Sequence, residues 1–271
     1  MADGHADASL APATPALSHR RAWRLVLAYD GTGFHGWQVQ PDAVTVQGTL
    51  IAAARRLFEG DVRVVGASRT DAGVHALGQT VALTAEGSFP AATVQAALNA
   101  RLPREIRIVS AAEALDDFDA RRAARGKRYL YLIDNGPVPS PLLLRWAWHV
   151  PGRLDVRAMR EALAALRGVH DFSAFCAAPG RDAEPTCRVR ALRLVRRKAL
   201  VALVVSADRF LHHMVRNVVG SAVEVGRGAQ PPGWLGGVLA GRDRTNAGPT
   251  APAHGLVLLR VLYGPQTREH C

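Results

Sequence analysis

In residues 66–79, GASRTDAGVHALGQ, Arg69 lies two positions before Asp71, so a guanidinium can rest against a carboxylate, favour its charged form and hold its orientation. A carboxylate held in this way can act as a nucleophile or as a base. Gly66, Gly73 and Gly78 permit backbone conformations closed to other residues and would let a bulky substrate approach the main chain. Taken alone, Thr70-Asp71-Ala72-Gly73 reads more readily as an ordinary Asx turn, with Asp71 capping amides and Arg69 as its surface partner. The longer stretch packs an acid, a base and three glycines between two apolar runs, so a reaction site is the other reading.

Other residue pairs offer weaker chemistry. His212 and His213 suggest zinc, but neighbours on a helix diverge by about 100°, and no HExxH pattern or cysteine partner accompanies them, so no metal site is expected. His170 beside Asp171 is a tempting acid–base pair; adjacent residues seldom face one another, and a turn is expected there. Cys176, Cys187 and Cys271 form no CxxC pair, which points to free thiols in a reducing compartment.

The elements that must position residues 66–79 are short and alternating. Val62, Val64 and Val65 predict a strand before it, and Val81 and Leu83 a half-buried strand after it. Leu25, Leu27 and Tyr29 form one face of a first strand beginning at Trp23; the loop that follows it carries Phe34, His35 and Trp37, able to stack on bases or to close over a core. Thr45 predicts an N-cap for a helix whose stripe is Val46, Leu50, Ala53 and Leu57, with Arg55 and Arg56 outward. Ser88 and Pro90 open a second helix through Val94 and Leu98, ended by Pro103, and Ile106 and Ile108 begin another strand. The order strand, helix, strand, strand, helix, strand is that of a ferredoxin-like half. A second, longer half is expected to repeat it, with strands at 118–120, 127–133, 189–195 and 200–206, helices at 155–166 and from 210, and a last strand at 256–263. Met159 reads as core filler. In the strand at 127–133, alternation puts Tyr129 and Tyr131 on one face and Leu130 on the other, an arrangement that usually marks a core.

The chain has 271 residues and is 48% apolar, enough for one large domain or two modest ones with a true core. Its formal net charge of +11 suggests a polyanionic partner, most simply nucleic acid, although Lys127 and Lys198 are the only lysines and the arginine and alanine bias has a genomic explanation as well. No apolar run approaches a membrane span and no signal peptide is visible, so a cytoplasmic protein is expected. Residues 1–21 and 265–271 read as tails, the first too rich in Ala, Pro and small polar residues to build a core. The 177–185 segment, made of Gly, Pro and charged residues, reads as a loop that is either solvated or in contact with RNA.

The 66–79 stretch closely resembles the active-site motif of the TruA-type tRNA pseudouridine synthases, GRTDAGVHA followed by a Gln, with Ser68 here where many members have Gly. Further likenesses follow in the family's order: YDGTGFHGWQVQ at 29–40, KRYLY at 127–131, DFSAF at 171–175, FLHHMVRN at 210–217 and the loop at 248–255. The resemblance spans about 23–263. It implies an α+β pseudouridine synthase fold: two ferredoxin-like halves, 22–113 and 114–264, with mostly antiparallel sheets joined into one catalytic domain around a central cleft. It further implies a homodimer acting on uridines 38 to 40 in the tRNA anticodon stem-loop, with no metal or organic cofactor, in keeping with the lack of a P-loop or GxGxxG turn. By the same resemblance Asp71 is the catalytic aspartate, Arg69 its orienting partner and Tyr129 the ring that stacks on the flipped uridine. Phe210 and Arg216 belong to the active-site wall, Arg216 pairing with a phosphate or with Asp71. A catalytically silent RNA-binding protein on the same scaffold would share the charge and the aromatics but would not need Arg69, Asp71 and Tyr129 together; a hydrolase using Asp71 and a histidine would release free uracil.

Overall fold

The structure, a computed structural model, describes residues 20–177 and 184–264. The tail expected over 1–21 lies outside the described residues except for Arg20 and Arg21, which already belong to the first strand; the tail at 265–271 and most of the loop at 177–185 also lie outside them.

Strand β1 (Arg20–Tyr29) buries Trp23, Leu25, Leu27 and Tyr29 from alternate positions. Helix α1 (Val46–Ala54) starts where Thr45 Oγ1 accepts a hydrogen bond from the Gly48 amide at 3.2 Å, satisfying one of the donors a helix start leaves unpaired, and it buries Val46, Leu50 and Ala53. Strands β2 (Arg63–Gly66) and β3 (His75–Glu86) follow, then α2 (Ala91–Arg101) and β4 (Ile106–Ala114). Asn99 clamps α2 to β4, accepting from the Ile108 amide at 2.8 Å and donating to its carbonyl at 2.9 Å. The second half contains β5 (Gly126–Asp134), β6 (Trp148–His149), α3 (Val156–Ala164), β7 (Gly168–Asp171), β8 (Thr186–Arg197), β9 (Leu200–Ala207), α4 (Met214–Gly226), α5 (Trp234–Gly241) and β10 (Leu256–Leu262). Met159 of α3 packs against Gly226 of α4, where a Cβ would come within 2.7 Å of its sulfur, so it fills core as its sequence context suggests.

The strands form one sheet in the order β4-β1-β3-β10-β5-β9-β8-β7, with β2 on β3 and β6 on β5. The first half has the order β4-β1-β3-β2, and the second, β10-β5-β9-β8, follows the same plan with β7 added at its edge. These are two ferredoxin-like halves, antiparallel apart from short parallel pairings of β10 with β3 and of β5 with β6.

Strand β3 makes the junction. Along one edge it pairs with β1; along the other it pairs with β2 from Val81 to Thr84 and with β10 at His75 and Ala76. Gly78 lies between these two stretches, and a Cβ there would meet the Leu259 carbonyl oxygen at 2.5 Å. The glycine therefore serves close packing of two strands and not approach of a substrate. Gly66 is similar, since a Cβ on it would enter the Trp37 indole at 2.5 Å. Valine ordinarily favours a strand; Gly78→Val is nevertheless expected to destabilise the fold by about 2–3 kcal/mol through overpacking, read as a lower urea midpoint at unchanged slope.

Three local expectations are corrected. Residues 118–120 are not a strand: the Asp119 carboxylate accepts from the amides of Arg121 and Arg122 at 2.8 and 2.9 Å, which folds the chain into a turn. His170 and Asp171 end strand β7 and do not form a turn, because 168–171 pairs with β8 at the sheet edge. Strand β3 is buried on both faces and not on one. Phe118 and Tyr263 pack together, and the Tyr263 hydroxyl, bonded to the Ala120 carbonyl at 2.8 Å, lies beside Thr80.

Candidate active site

The site is built on the loop between β2 and β3, shorter than the sequence suggests because residues 75–79 are already strand. Its start is pinned by buried Gln79, which accepts from the Ser68 amide at 3.2 Å and donates to the Ser68 carbonyl at 2.6 Å. Its middle is held from below by the loop after β1: the Trp37 amide donates to the Thr70 carbonyl at 3.0 Å, and Tyr29 and Thr70 share a hydroxyl bond of 2.8 Å. Phe34 and Trp37 are buried here, so they serve as core beneath the site and not as platforms for bases. Gly73 takes a φ of +76°, the left-handed conformation that turns the chain into β3. His75 closes the loop; its Nδ1 accepts from the Gly31 amide at 3.0 Å, leaving Nε2–H to donate to the His254 carbonyl at 3.1 Å.

Asp71 projects from this frame with 28% of its side chain exposed. Arg216 Nη1 donates to Asp71 Oδ2 at 3.2 Å while its Nε donates to the Ala251 carbonyl at 2.8 Å, so the guanidinium is fixed by the loop before β10 and in turn fixes the carboxylate. Of the two partners the sequence allowed Arg216, the structure supplies Asp71. Arg69 does not take that place: it is exposed at the rim of the cleft, and among the described residues no ion pair joins it to Asp71. The turn separates the two side chains, and the guanidinium that reaches Asp71 comes from 145 residues further on.

Tyr129 faces the same cleft. Its hydroxyl is 3.0 Å from Ser68 Oγ and its ring meets Phe210 edge-on, with centroids 5.0 Å apart. Burial, opposed by the Ser68 bond and reinforced by the Asp71 charge, pushes the phenol up to about 12, so it stays protonated at neutral pH. The cleft has a volume of about 780 Å³ and its lining includes Asp71, Lys127, Tyr129, Phe210, His212 and His213.

The histidine pair overturns the helical argument. Helix α4 starts only at Met214; His213 precedes it in the left-handed conformation, with φ +59° and ψ +5°, and the two rings lie 3.9 Å apart instead of diverging. His213 Nε2 stands 3.3 Å from Asp71 Oδ2 and His212 Nε2 3.8 Å from Oδ1. Ligand atoms of Asp71, His212 and His213 all lie within 4.8 Å of one another, a spacing that could hold a metal ion. Burial, ahead of the opposing Asp71 charge, holds His213 below the ordinary imidazole range.

Burial, ahead of the opposing Asp30 carboxylate, likewise depresses His75, so for both histidines the unfolded chain binds protons that the folded chain refuses. Their contribution to stability is complete above the unfolded value of about 6.5 and is lost as pH falls below it toward the folded values. The melting temperature is therefore expected to drop on going from pH 7.5 to pH 5.5, and less so in His75→Gln than in the wild type; an equal drop in both would remove His75 from the effect.

Asp71, held by Arg216, thus shares one cleft with Arg69, Arg121, Lys127 and the Tyr129–Phe210 pair. The family model described as tRNA pseudouridine synthase matches residues 25–121 and 162–264. A tRNA pseudouridine synthase A from Myxococcus xanthus is 44% identical over 248 residues, covering 90% of this chain and 94% of its own length. Relatives of the same name from Moorella thermoacetica and Xanthobacter autotrophicus are 44% and 43% identical, each over 89% of this chain and 98% and 99% of their own lengths. The chain belongs to the tRNA pseudouridine synthase family. No helix among the described residues is long and apolar enough to cross a membrane.

Proposed function

We propose that this protein isomerises uridine to pseudouridine at positions 38, 39 and 40 of the tRNA anticodon stem-loop, acting as a cytoplasmic homodimer whose ferredoxin-like halves, 22–113 and 114–264, flank the cleft. The observation that carries the reading is the placement of Asp71: it is the one acidic side chain among the residues lining a cleft that also carries Arg69, Arg121, Lys127 and Tyr129, with its Oδ2 held by Arg216 and its Oδ1 3.8 Å from His212 Nε2. A uridine in a stem is out of reach, so it is flipped into the cleft at a cost of a few kcal/mol. Tyr129, backed by Phe210, receives the base there. Asp71 acts as nucleophile or base on the nucleoside, the N1–C1′ bond breaks, the uracil turns within the closed pocket and C5 joins C1′. Arg216 orients Asp71. Arg69, at the rim, is placed to meet the RNA, and the net charge of +11 makes binding steeply salt-dependent.

The test is tritium release from tRNA labelled at uridine C5, followed by carbodiimide mapping of the anticodon arm. Release with new carbodiimide-stable stops at 38 to 40 supports the reading; tRNA binding with no release, or release of free uracil, rejects it.

A further inference from the structure

Joining C5 to C1′ leaves a task that Asp71 and the aromatic wall do not cover. After the new bond forms, C5 is tetrahedral: it carries both C1′ and its original hydrogen, and C6 is doubly bonded to N1. The product requires that the C5–H bond break, that its electron pair re-form C5=C6, that the C6=N1 pair return to N1, and that N1 take up a proton from water. A base must accept the proton from C5 close to where Asp71 acted.

Resting on the function proposed above, we propose that His213 is that general base, its Nε2 taking the C5 proton of the rotated uracil and passing it to solvent. Three independent features of the site lead to it. The first is distance: His213 Nε2 lies 3.3 Å from the Asp71 carboxylate and lines the same cleft, so a base positioned for Asp71 is also within its reach. The second is backbone geometry. A non-glycine residue seldom adopts the left-handed conformation, and here it accompanies an imidazole placed before the helix start and against Asp71. The third is comparison with its neighbours. The Tyr129 hydroxyl is protonated and engaged with Ser68, and His212 lies farther from Asp71 and more exposed, 41% against 24% for His213.

Protonation agrees with the geometry. The groups facing the ring are Asp71 from the catalytic loop, Arg216 from α4, His212 beside it and Arg244 from the turn after α5; with burial as the largest influence, the ring stays neutral at physiological pH and open to a proton. Proton exchange with water is direct, since His213 remains partly exposed at the cleft wall.

The experiment uses full-length tRNA carrying either uridine or 5-deuterouridine, with wild type, His213→Asn and His213→Gly. Asparagine and glycine both tolerate the left-handed backbone, so the fold is kept, as equal melting temperatures would verify. His213→Asn is expected to lose about 100-fold in kcat with unchanged tRNA affinity, and to show a C5 deuterium isotope effect larger than that of the wild type. Imidazole added to His213→Gly, whose missing ring leaves space for it, should restore turnover, whereas imidazole should do nothing for Asp71→Asn. Near-wild-type kcat in either His213 variant, or a loss with neither isotope effect nor rescue, would overturn the assignment. Failure of the wild type itself to form pseudouridine would instead overturn the function on which the assignment rests.

Discussion

Asp71→Asn is expected to bind tRNA with wild-type affinity and to lose isomerisation by at least about 10³-fold, the scale set by removing a group that attacks or takes a proton in the rate-determining step. The substitution is close to isosteric. Arg216 keeps its bond to the Ala251 carbonyl, and the loop keeps the Gln79, Trp37 and Tyr29 contacts that hold it, so the fold has little reason to change. What disappears is the one acidic side chain among the residues that line the cleft, in which Arg69, Arg121 and Lys127 supply positive charge. Electrophoretic binding of tRNA together with C5 tritium release separates the two properties. Turnover near wild type would remove the carboxylate from the chemistry and leave Asp71 as a turn residue held by an arginine.

The second large effect concerns Tyr129. Its ring is only 6% exposed, pressed edge-on by Phe210, so a base entering the cleft meets a surface already fixed in place. Removing such a ring forfeits about 1–3 kcal/mol of base–aromatic contact, and Tyr129→Leu should lower kcat/KM by roughly 10- to 100-fold. Tyr129→Phe keeps the ring and gives up only the hydroxyl contact with Ser68, worth about 1 kcal/mol, so its loss should be distinctly smaller. Single-turnover rates for the two variants decide the matter: equal losses would assign the role to the hydroxyl instead of the ring.

Local patterns carried much of this architecture. The Thr45 cap, the Val46, Leu50, Ala53 stripe and the alternation of Tyr129 with Leu130 all hold in the structure, because each depends on residues within one or two turns of one another. The site is legible in the same measure. Asp71 and Tyr129 reach one cleft as their motifs suggest, but the charge partner of Asp71 does not follow from proximity in the chain. Arg69, two residues away, points off at the rim, and Arg216 arrives through the long-range packing of the 248–251 loop against α4, where Gly220 admits the Pro249 carbonyl so closely that a Cβ would stand 1.7 Å from it. The two histidine rings come together against the helical period because α4 starts only at Met214, two residues after His212, and His213 takes a left-handed turn. Gly66 and Gly78 show the same limit, since glycine composition cannot tell access for a ligand from contact between two pieces of the chain.

The pairing of β10 with both β3 and β5 ties completion of the site to the far end of the chain. During synthesis the first half can assemble its own strands and helices while β10 is still inside the ribosome, but the loop at 248–251 that anchors Arg216 lies just ahead of that strand. A ribosome-bound nascent chain therefore has Asp71 in place long before it has the guanidinium that orients it. The carboxylate and the group that orients it are joined only after the 248–251 loop has docked against α4.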